Sequence, residues 1–255
     1  MPKVKLIHHT GQGTDDPVGY AARLLAYTKN TRMNMTPDGF EEFLNKDHRE
    51  VHDEIKYMAT TIQSSWEFVD VIFAINDVSR ATAQQITRTR HATFAMQSQR
   101  VTNMKDVNWT TPQLDFEDDG DNEGHFDAVM EQAIDEYSLL VDRGVSLEDA
   151  RDVLPIGVHC NLVAKYNLSS LADLIRKRKS LRVQGPYVEV VKQMEQEVLN
   201  VWPWADVFFK PKGETAIQMI EEVAVELRKM EGLGGAQYDG MSGKLAKAAD
   251  LIKTL

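Results

Sequence analysis

The sequence of 255 residues contains one cysteine, Cys160, and no apolar run long enough to cross a membrane. A single cysteine excludes an intramolecular disulfide and a zinc site built from several thiolates. A membrane helix needs about 18 or more consecutive apolar residues, and the N-terminal segment has no apolar core of the kind found in signal peptides. We therefore predict a cytoplasmic protein without a membrane partner.

Basic residues are also in the minority. Lys and Arg number 29 against 39 Asp and Glu, which gives a formal net charge of -10. Such a charge disfavours non-specific binding to nucleic acid, so we predict no nucleic-acid partner. Hydrophobic residues make up 42% of the chain, enough for a sizeable core in one large domain or two small ones. A phosphorylated ligand would have to be bound by a local basic cluster.

The hydrophobic pattern predicts many helices and few strands. Apolar and β-branched runs predict strands over residues 3–10, 66–76 and 156–167. Helical periodicity and capping residues predict the helices, one of them with Ser79 as its N-cap. The predicted helices cover residues 15–29, 36–45, 47–65, 80 to about 88, 126–144, 146–154, 169–179, 186–200 and 214–230, with a last one at the C-terminus. The acidic stretch 112–125 predicts a loop inside one domain.

Three features have part of the residue pattern of a known site. His48 and His52 are one helical turn apart, as a metal pair would be, but no third ligand is evident and a solvated helix face accounts for them. Residues 115–124 have the composition of a calcium loop, but Phe126 stands where a bidentate glutamate is needed. We expect Cys160 to pack as a small hydrophobe rather than act as a nucleophile. We predict no metal site.

The stretch RTRHATFAMQSQR, residues 88–100, concentrates three arginines in an acidic chain. Like charges this close repel each other unless an anion lies among them. Guanidinium groups match phosphate oxygens bidentately, and the hydroxyl of Ser98 and the ring of His91 could complete such a cradle. Composition alone leaves three interpretations open: a solvated basic face, a phosphate site and a nucleic-acid patch.

Four motif blocks carry a resemblance to one family. Arg88-Thr89-Arg90 is followed after seven residues by Ser98-Gln99-Arg100, and VSRATAQQ at 78–85 leads into this block. Further along are YSLLVDRGVSLEDARDVLP at 137–155 and NLSSLADLIRKR at 167–178. In this order the blocks resemble the flavin-dependent thymidylate synthases, often called ThyX, whose signature is R-H-R, seven residues, then S.

The resemblance implies an α+β fold, with a central antiparallel sheet flanked by helices. It implies a homotetramer whose active sites are shared among subunits, and bound FAD. The implied reaction transfers a one-carbon unit from methylenetetrahydrofolate to C5 of dUMP, a pyrimidine nucleotide monophosphate, with reduction by the flavin and NADPH to give dTMP. We assign residues 1–209 to the ThyX-like catalytic domain and residues 210–255 to a C-terminal helical extension of unknown role.

The resemblance also assigns roles to single residues. Arg178 and Ser98 match catalytic positions: Arg178 would grip or polarise the pyrimidine ring, and the turn 98–100 would hold the phosphate. The positions that match substrate-binding residues are Gln85, Arg88, Ser98, Gln99, Arg100, Arg151 and Arg178. The positions that match FAD-binding residues are Ser64, Glu67, Arg88, Thr89, Arg90, His91, Asn167 and Arg182. Flavin and nucleotide are both anionic, so converging arginines would balance their charge.

The sequence departs from the family at several of these positions. Ile62, Phe68 and Thr89 stand where the family has histidine, Met96 replaces a usual Glu or Gln near the substrate, and Ser169 replaces a common arginine beside the flavin. Loss of three histidines removes proton carriers. Two alternatives therefore stay open: a related C5 methylase or hydroxymethylase acting on UMP or dCMP, and a non-catalytic nucleotide-binding relative.

Overall fold

The computed structural model of the chain describes residues 2–32, 35–36, 38–61, 63–112, 121–178 and 185–210. Its centre is a four-stranded sheet in which every neighbouring pair is antiparallel. The strands are β1 Lys3–His9, β2 Asp70–Ser79, β3 Ala92–Met96 and β4 His159–Asn167, and their order across the sheet is β1-β2-β4-β3. The predicted antiparallel sheet flanked by helices is confirmed.

Helices connect and cover these strands. The α-helices of the described residues are α1 Pro17–Tyr27, α2 Gly39–Leu44, α3 His48–Thr61, α4 Arg80–Ile86, α5 Asn122–Asp142, α6 Leu147–Ala150, α7 Leu168–Arg178, α8 Pro186–Val201 and α9 Asp206–Phe209. Short 3₁₀ helices cover Thr28–Arg32, Gln63–Phe68, Arg151–Val153 and Pro203–Ala205. Within the described ranges, no helix has the length and apolar character needed to span a bilayer. The helices predicted beyond residue 210 lie outside the described residues.

Side-chain caps set several helix starts. The hydroxyl of Ser79 accepts a hydrogen bond from the backbone N–H of Thr82, so the predicted cap of α4 is confirmed. The carboxylate of Asp121 accepts from the N–H of Gly124 and starts α5 at residue 122. The predicted loop 112–125 was therefore too long at its C-terminal end, because the acidic residue that made it look like a loop is a helix cap.

The second predicted strand also began too early. Trp66 lies in a 3₁₀ helix rather than in β2, is fully buried, and donates from its indole nitrogen to the carbonyl of Met58 at 3.1 Å. Its ring meets the edge of Phe208 at 4.7 Å between centroids. The aromatic character of this segment therefore reflects helix packing, and the strand begins only at residue 70.

The main core lies between one face of the sheet and the helices. Val71, Phe73 and Ile75 alternate along β2 and are fully buried on that face. Helices α1, α3, α7 and α8 supply the opposite side of the core. Burial of each large apolar side chain is worth about 1.5–3 kcal/mol. A smaller cluster, built around Met104, Tyr137 and Ala150, joins α5 and α6 to the segment that follows β3.

We predict that Tyr137→Phe destabilises this smaller cluster. The Tyr137 hydroxyl accepts a hydrogen bond from the buried backbone N–H of Met104 at 3.1 Å. Its removal leaves that N–H without a partner, so the free energy of unfolding should fall by about 1–3 kcal/mol in urea titrations. Tyr57→Phe is the matched control, because the Tyr57 side chain is half exposed. Equal unfolding midpoints for both variants would contradict the proposed role of the Tyr137 hydroxyl.

Candidate functional site

A cavity of about 800 Å³ opens where β3 begins and β4 ends. The segment between α4 and β3, the N-terminal and C-terminal turns of α7, and the first turn of α8 form its walls. The described residues that line it are Gln63, Glu67, Gln85, Arg88, Thr89, Arg90, His91, Asn167, Ser169, Ser170, Asp173, Leu174, Arg176, Lys177, Arg178 and Tyr187.

A tight turn aims the first arginines into this cavity. His91 has a positive φ of 57°, which reverses the chain between α4 and β3. The Ser170 hydroxyl donates to the His91 carbonyl at 2.9 Å, and the Asn167 side chain accepts from the N–H of Ser170 at 2.8 Å. The N-terminus of α7 is thus tied to the turn that carries Arg88 and Arg90.

The last turn of α7 adds three more cations, Arg176, Lys177 and Arg178. Burial lowers the pKa of Arg176, and the charge of Asp173 opposes that effect. The Arg176 guanidinium lies 5.5 Å from the centre of the Trp66 ring, at the edge of the core. The Arg178 guanidinium lies 4.4 Å from the centre of the Tyr187 ring.

The electrostatic character of the cavity is positive. Its described lining contains five Lys and Arg residues but only two carboxylates, Glu67 and Asp173. Asp173 forms an ion pair with Lys177 at 2.6 Å, and no described residue forms an ion pair with Arg88 or Arg90. Uncompensated guanidinium groups that face one cavity favour an anionic ligand. The geometry therefore favours the phosphate site among the three interpretations of the basic stretch.

The remaining predicted substrate residues lie at the other end of β3. Ser98, Gln99 and Arg100 follow the strand, whereas the arginine turn precedes it, and a strand of this length spans roughly 17 Å. The Arg100 guanidinium pairs with the Glu148 carboxylate of α6 at 3.1 Å, which places it near Arg151 in the 3₁₀ helix after α6. None of these residues lines the described cavity.

The predicted site therefore divides into two groups. Gln85, Glu67, Arg88, Thr89, Arg90, His91, Asn167 and Arg178 share the cavity. Ser98, Gln99, Arg100 and Arg151 form the second group. Ser64 is exposed on the 3₁₀ helix beside the cavity without lining it, and Arg182 lies outside the described residues. Arg176, Ser170 and Tyr187 line the cavity and were not predicted; only the basic run that ends α7 could have pointed to Arg176.

His48 and Cys160, which were candidate site residues in the sequence, lie outside the cavity lining. His48 lies 3.8 Å from the Asp16 carboxylate and 3.3 Å from the Arg23 guanidinium, in a polar cluster at the start of α1. The hydrogen bond from Arg23 and that from the backbone of Gly19 lower the pKa of Asp16.

Cys160 is buried in β4, where burial raises the pKa of its thiol. Among the described residues, no three His, Cys, Asp or Glu side chains are placed to hold a metal ion.

Fold and site together define a mixed α/β protein with a cationic cavity suited to a phosphorylated ligand. The family described as thymidylate synthase complementing protein, Thy1, matches residues 5–204, and the chain belongs to this family. The resemblance predicted from the four motif blocks is confirmed.

Individual relatives agree with this assignment. Proteins named flavin-dependent thymidylate synthase from Halobacterium salinarum, Saccharolobus solfataricus and Geobacter sulfurreducens are 30%, 26% and 28% identical to the chain over 154, 209 and 207 residues. These matches cover 51%, 80% and 79% of this chain, and 62%, 75% and 84% of the relatives. The chain thus spans about three fifths of the length of the Halobacterium relative and of a similar one from Haloarcula marismortui.

We predict that inorganic pyrophosphate raises the melting temperature of the protein at low ionic strength. Binding to the folded state alone adds about 1.4 kcal/mol at ten times the dissociation constant. The double variant Arg88→Ala/Arg90→Ala should lose most of this shift in thermal melts. The control Arg49→Ala/Arg143→Ala removes the same charge from exposed positions outside the cavity and should keep it. Equal shifts in both double variants would show that pyrophosphate binds elsewhere.

Proposed function

We propose that the chain is a flavin-dependent enzyme that transfers a one-carbon unit from methylenetetrahydrofolate to C5 of dUMP. FAD is the proposed cofactor, NADPH the electron source and dTMP the product. The observation that carries this proposal is the convergence of Arg88, Arg90 and Arg178 on one cavity, in a chain that belongs to the Thy1 family.

The cavity fits an anionic flavin cofactor. Arg88, Arg90 and His91 would meet its pyrophosphate, and Asn167, which caps α7, lies beside them. Glu67 lies on the facing wall, next to the exposed Ser64. When bound, FAD supplies the reducing equivalent that converts the transferred carbon to a methyl group. The described residues provide charge, orientation and hydrogen-bond donors.

Arg178 and Gln85 in the cavity would bind one part of the nucleotide, and residues of the second group would bind the rest. Arg178 would bind or polarise the pyrimidine ring, since its guanidinium reaches the cavity from the end of α7. Ser98, Gln99, Arg100 and Arg151 would hold the phosphate, which requires a second chain to bring its own copy of these residues to the cavity.

We infer self-association from this separation of the two groups. The exposed side chains around the second group are apolar as well as charged: Val101, Val153 and Ile156 are 73%, 42% and 60% exposed near Arg100 and Arg151. Exposed apolar side chains beside functional charges are typical of surfaces that another subunit covers. We propose a homotetramer in which each site combines the cavity of one subunit with residues 98–100 and 151 of another.

The division of the chain remains part of the proposal. Residues 1–209 would form the catalytic domain, since the cavity and the second group both lie within them. Residues 210–255 would form an extension, of which the structure describes only Lys210.

We predict that the purified protein binds FAD and oxidises NADPH when dUMP and methylenetetrahydrofolate are present. Flavin absorbance tests the cofactor, and product analysis with dUMP, UMP and dCMP in parallel tests the substrate. Formation of dTMP supports the proposal. If only UMP or dCMP is converted, that nucleotide and not dUMP is the substrate. If the protein binds a nucleotide but does not oxidise NADPH, it is a non-catalytic relative. Absence of any flavin binding would refute the proposed class of enzyme.

We also predict that two inactive variants restore activity when they are mixed. Arg90→Ala damages the cavity and Arg100→Ala damages the second group, so each homotetramer should be nearly inactive. Subunits exchanged by mild denaturation and refolding would form some sites with both groups intact, and up to about a quarter of the activity should return, as random pairing of two chains in equal amounts gives. Refolding each variant alone is the control, and no recovery in the mixture would contradict a shared site.

A further inference from the structure

Two tyrosine hydroxyls at the base of the cavity are shielded from water but have no hydrogen-bond partner in the part of the chain that the structure describes. Tyr166 lies on β4 and is fully buried, and Tyr187 lies in the first turn of α8 and is 3% exposed. Among the described residues, neither phenol oxygen has a partner at hydrogen-bond geometry. A buried hydroxyl without a hydrogen-bond partner lowers the stability of the folded protein. A ligand that supplies the missing partner would explain why both hydroxyls are present.

Thr89 lies beside both phenols. Burial raises the pKa of Tyr166 and of Tyr187, and the Thr89 hydroxyl is close enough to each to lower it in part. The approach is near, yet it lacks the geometry of a formed hydrogen bond. Both phenols therefore stay protonated at neutral pH and keep a proton to donate.

Tyr187 also contacts Arg178. The Arg178 guanidinium lies over the Tyr187 ring at 4.4 Å, and it lowers the pKa of the phenol against the larger effect of burial. A guanidinium that stacks on an aromatic ring is held in place without using its N–H donors. The face of the Tyr187 ring thus holds Arg178 at the wall of the cavity that both residues line.

Position 89 connects these observations. The family has histidine there, and an imidazole is larger than the threonine side chain that now adjoins two phenol hydroxyls. Thr89 and Tyr187 line the cavity, whereas Tyr166 lies behind them. The hydroxyls of Thr89, Tyr166 and Tyr187 lie close together, and we call them the hydroxyl cluster, at the point where Arg178 enters the cavity.

We propose that Tyr187 is a positioning residue for Arg178, and that the hydroxyl cluster completes its hydrogen bonds when a pyrimidine nucleotide binds. The ring of Tyr187 holds the guanidinium, and its hydroxyl, backed by Thr89 and Tyr166, donates toward an acceptor oxygen of the nucleotide. This inference rests on the proposed function, because it takes the nucleotide as the ligand of Arg178.

The test begins with single hydroxyl removals in FAD-loaded protein. Tyr187→Phe and Tyr166→Phe should leave the melting temperature of the ligand-free protein unchanged or raised, since an unpaired polar atom is removed. By calorimetry, the dissociation constant of dUMP should rise roughly 5-fold for Tyr187→Phe, as loss of one hydrogen bond implies. Tyr57→Phe, on the exposed face of α3, is the matched control and should change neither quantity.

A double-mutant cycle tests the action through Arg178. Tyr187→Leu removes both ring and hydroxyl and should weaken dUMP binding more than Tyr187→Phe does. In the Arg178→Ala background the ring has no guanidinium to hold, so Tyr187→Leu should weaken binding no more than Tyr187→Phe does there. Equal effects of Tyr187→Leu in both backgrounds would overturn the positioning role.

Two failures can be told apart. If the wild type binds dUMP and both phenylalanine variants bind it equally well, or if they lose thermal stability while keeping full affinity, the hydroxyl cluster is structural and this inference is wrong. If the wild type itself binds neither FAD nor dUMP, the proposed function fails, and the inference fails with it.

Discussion

The candidate site depends on one junction between two elements that are distant in sequence. The Ser170 hydroxyl donates to the carbonyl of His91, and the Asn167 side chain caps the helix that carries Ser170. This junction fixes the left-handed residue that ends the arginine turn, and the same helix delivers Arg178 at its other end. Two arginine-bearing segments thus share one rigid support. Because like charges repel, such convergence needs a scaffold whose hydrogen bonds do not themselves involve the arginines.

Local and overall charge have opposite signs in this protein. The chain carries a formal charge of -10, yet five cationic side chains line a single cavity. Attraction between the cavity and an anionic ligand is screened beyond a Debye length of about 10 Å at 0.1 M salt. The surface therefore repels anions in general, and the guanidinium groups act only at short range. This arrangement favours a small phosphorylated ligand over a polyanion, whose length would extend across the acidic surface.

Periodicity and capping were sufficient to predict three of the four strands, most helices and the Ser79 cap, because those patterns are local. The short strand β3 at 92–96 was missed, and the antiparallel arrangement of the sheet came from the family resemblance. The errors at Trp66 and at residues 121–125 arose where tertiary packing or a cap gave local residues another role. The arginine turn was predicted from its motif, but its separation from Ser98 and Arg151 was not, since spacing along a strand does not show which neighbours fold together. Tyr187 carried no signal at all: only the folded chain brings it beneath Arg178.

The neighbours of Thr89 in the structure change the interpretation of its place in the sequence, where the family has histidine. In the sequence the threonine removes a group that titrates near neutral pH, which argues for altered chemistry. In the structure two phenols meet at the same place, and burial raises the pKa of both. Position 89 therefore carries a hydroxyl beside two phenols that stay protonated near neutral pH, where an imidazole would change charge. Under the proposed function, nucleotide binding at this end of the cavity should depend less on pH than an imidazole at position 89 would make it, because a hydroxyl donates a hydrogen bond without changing its charge near neutral pH.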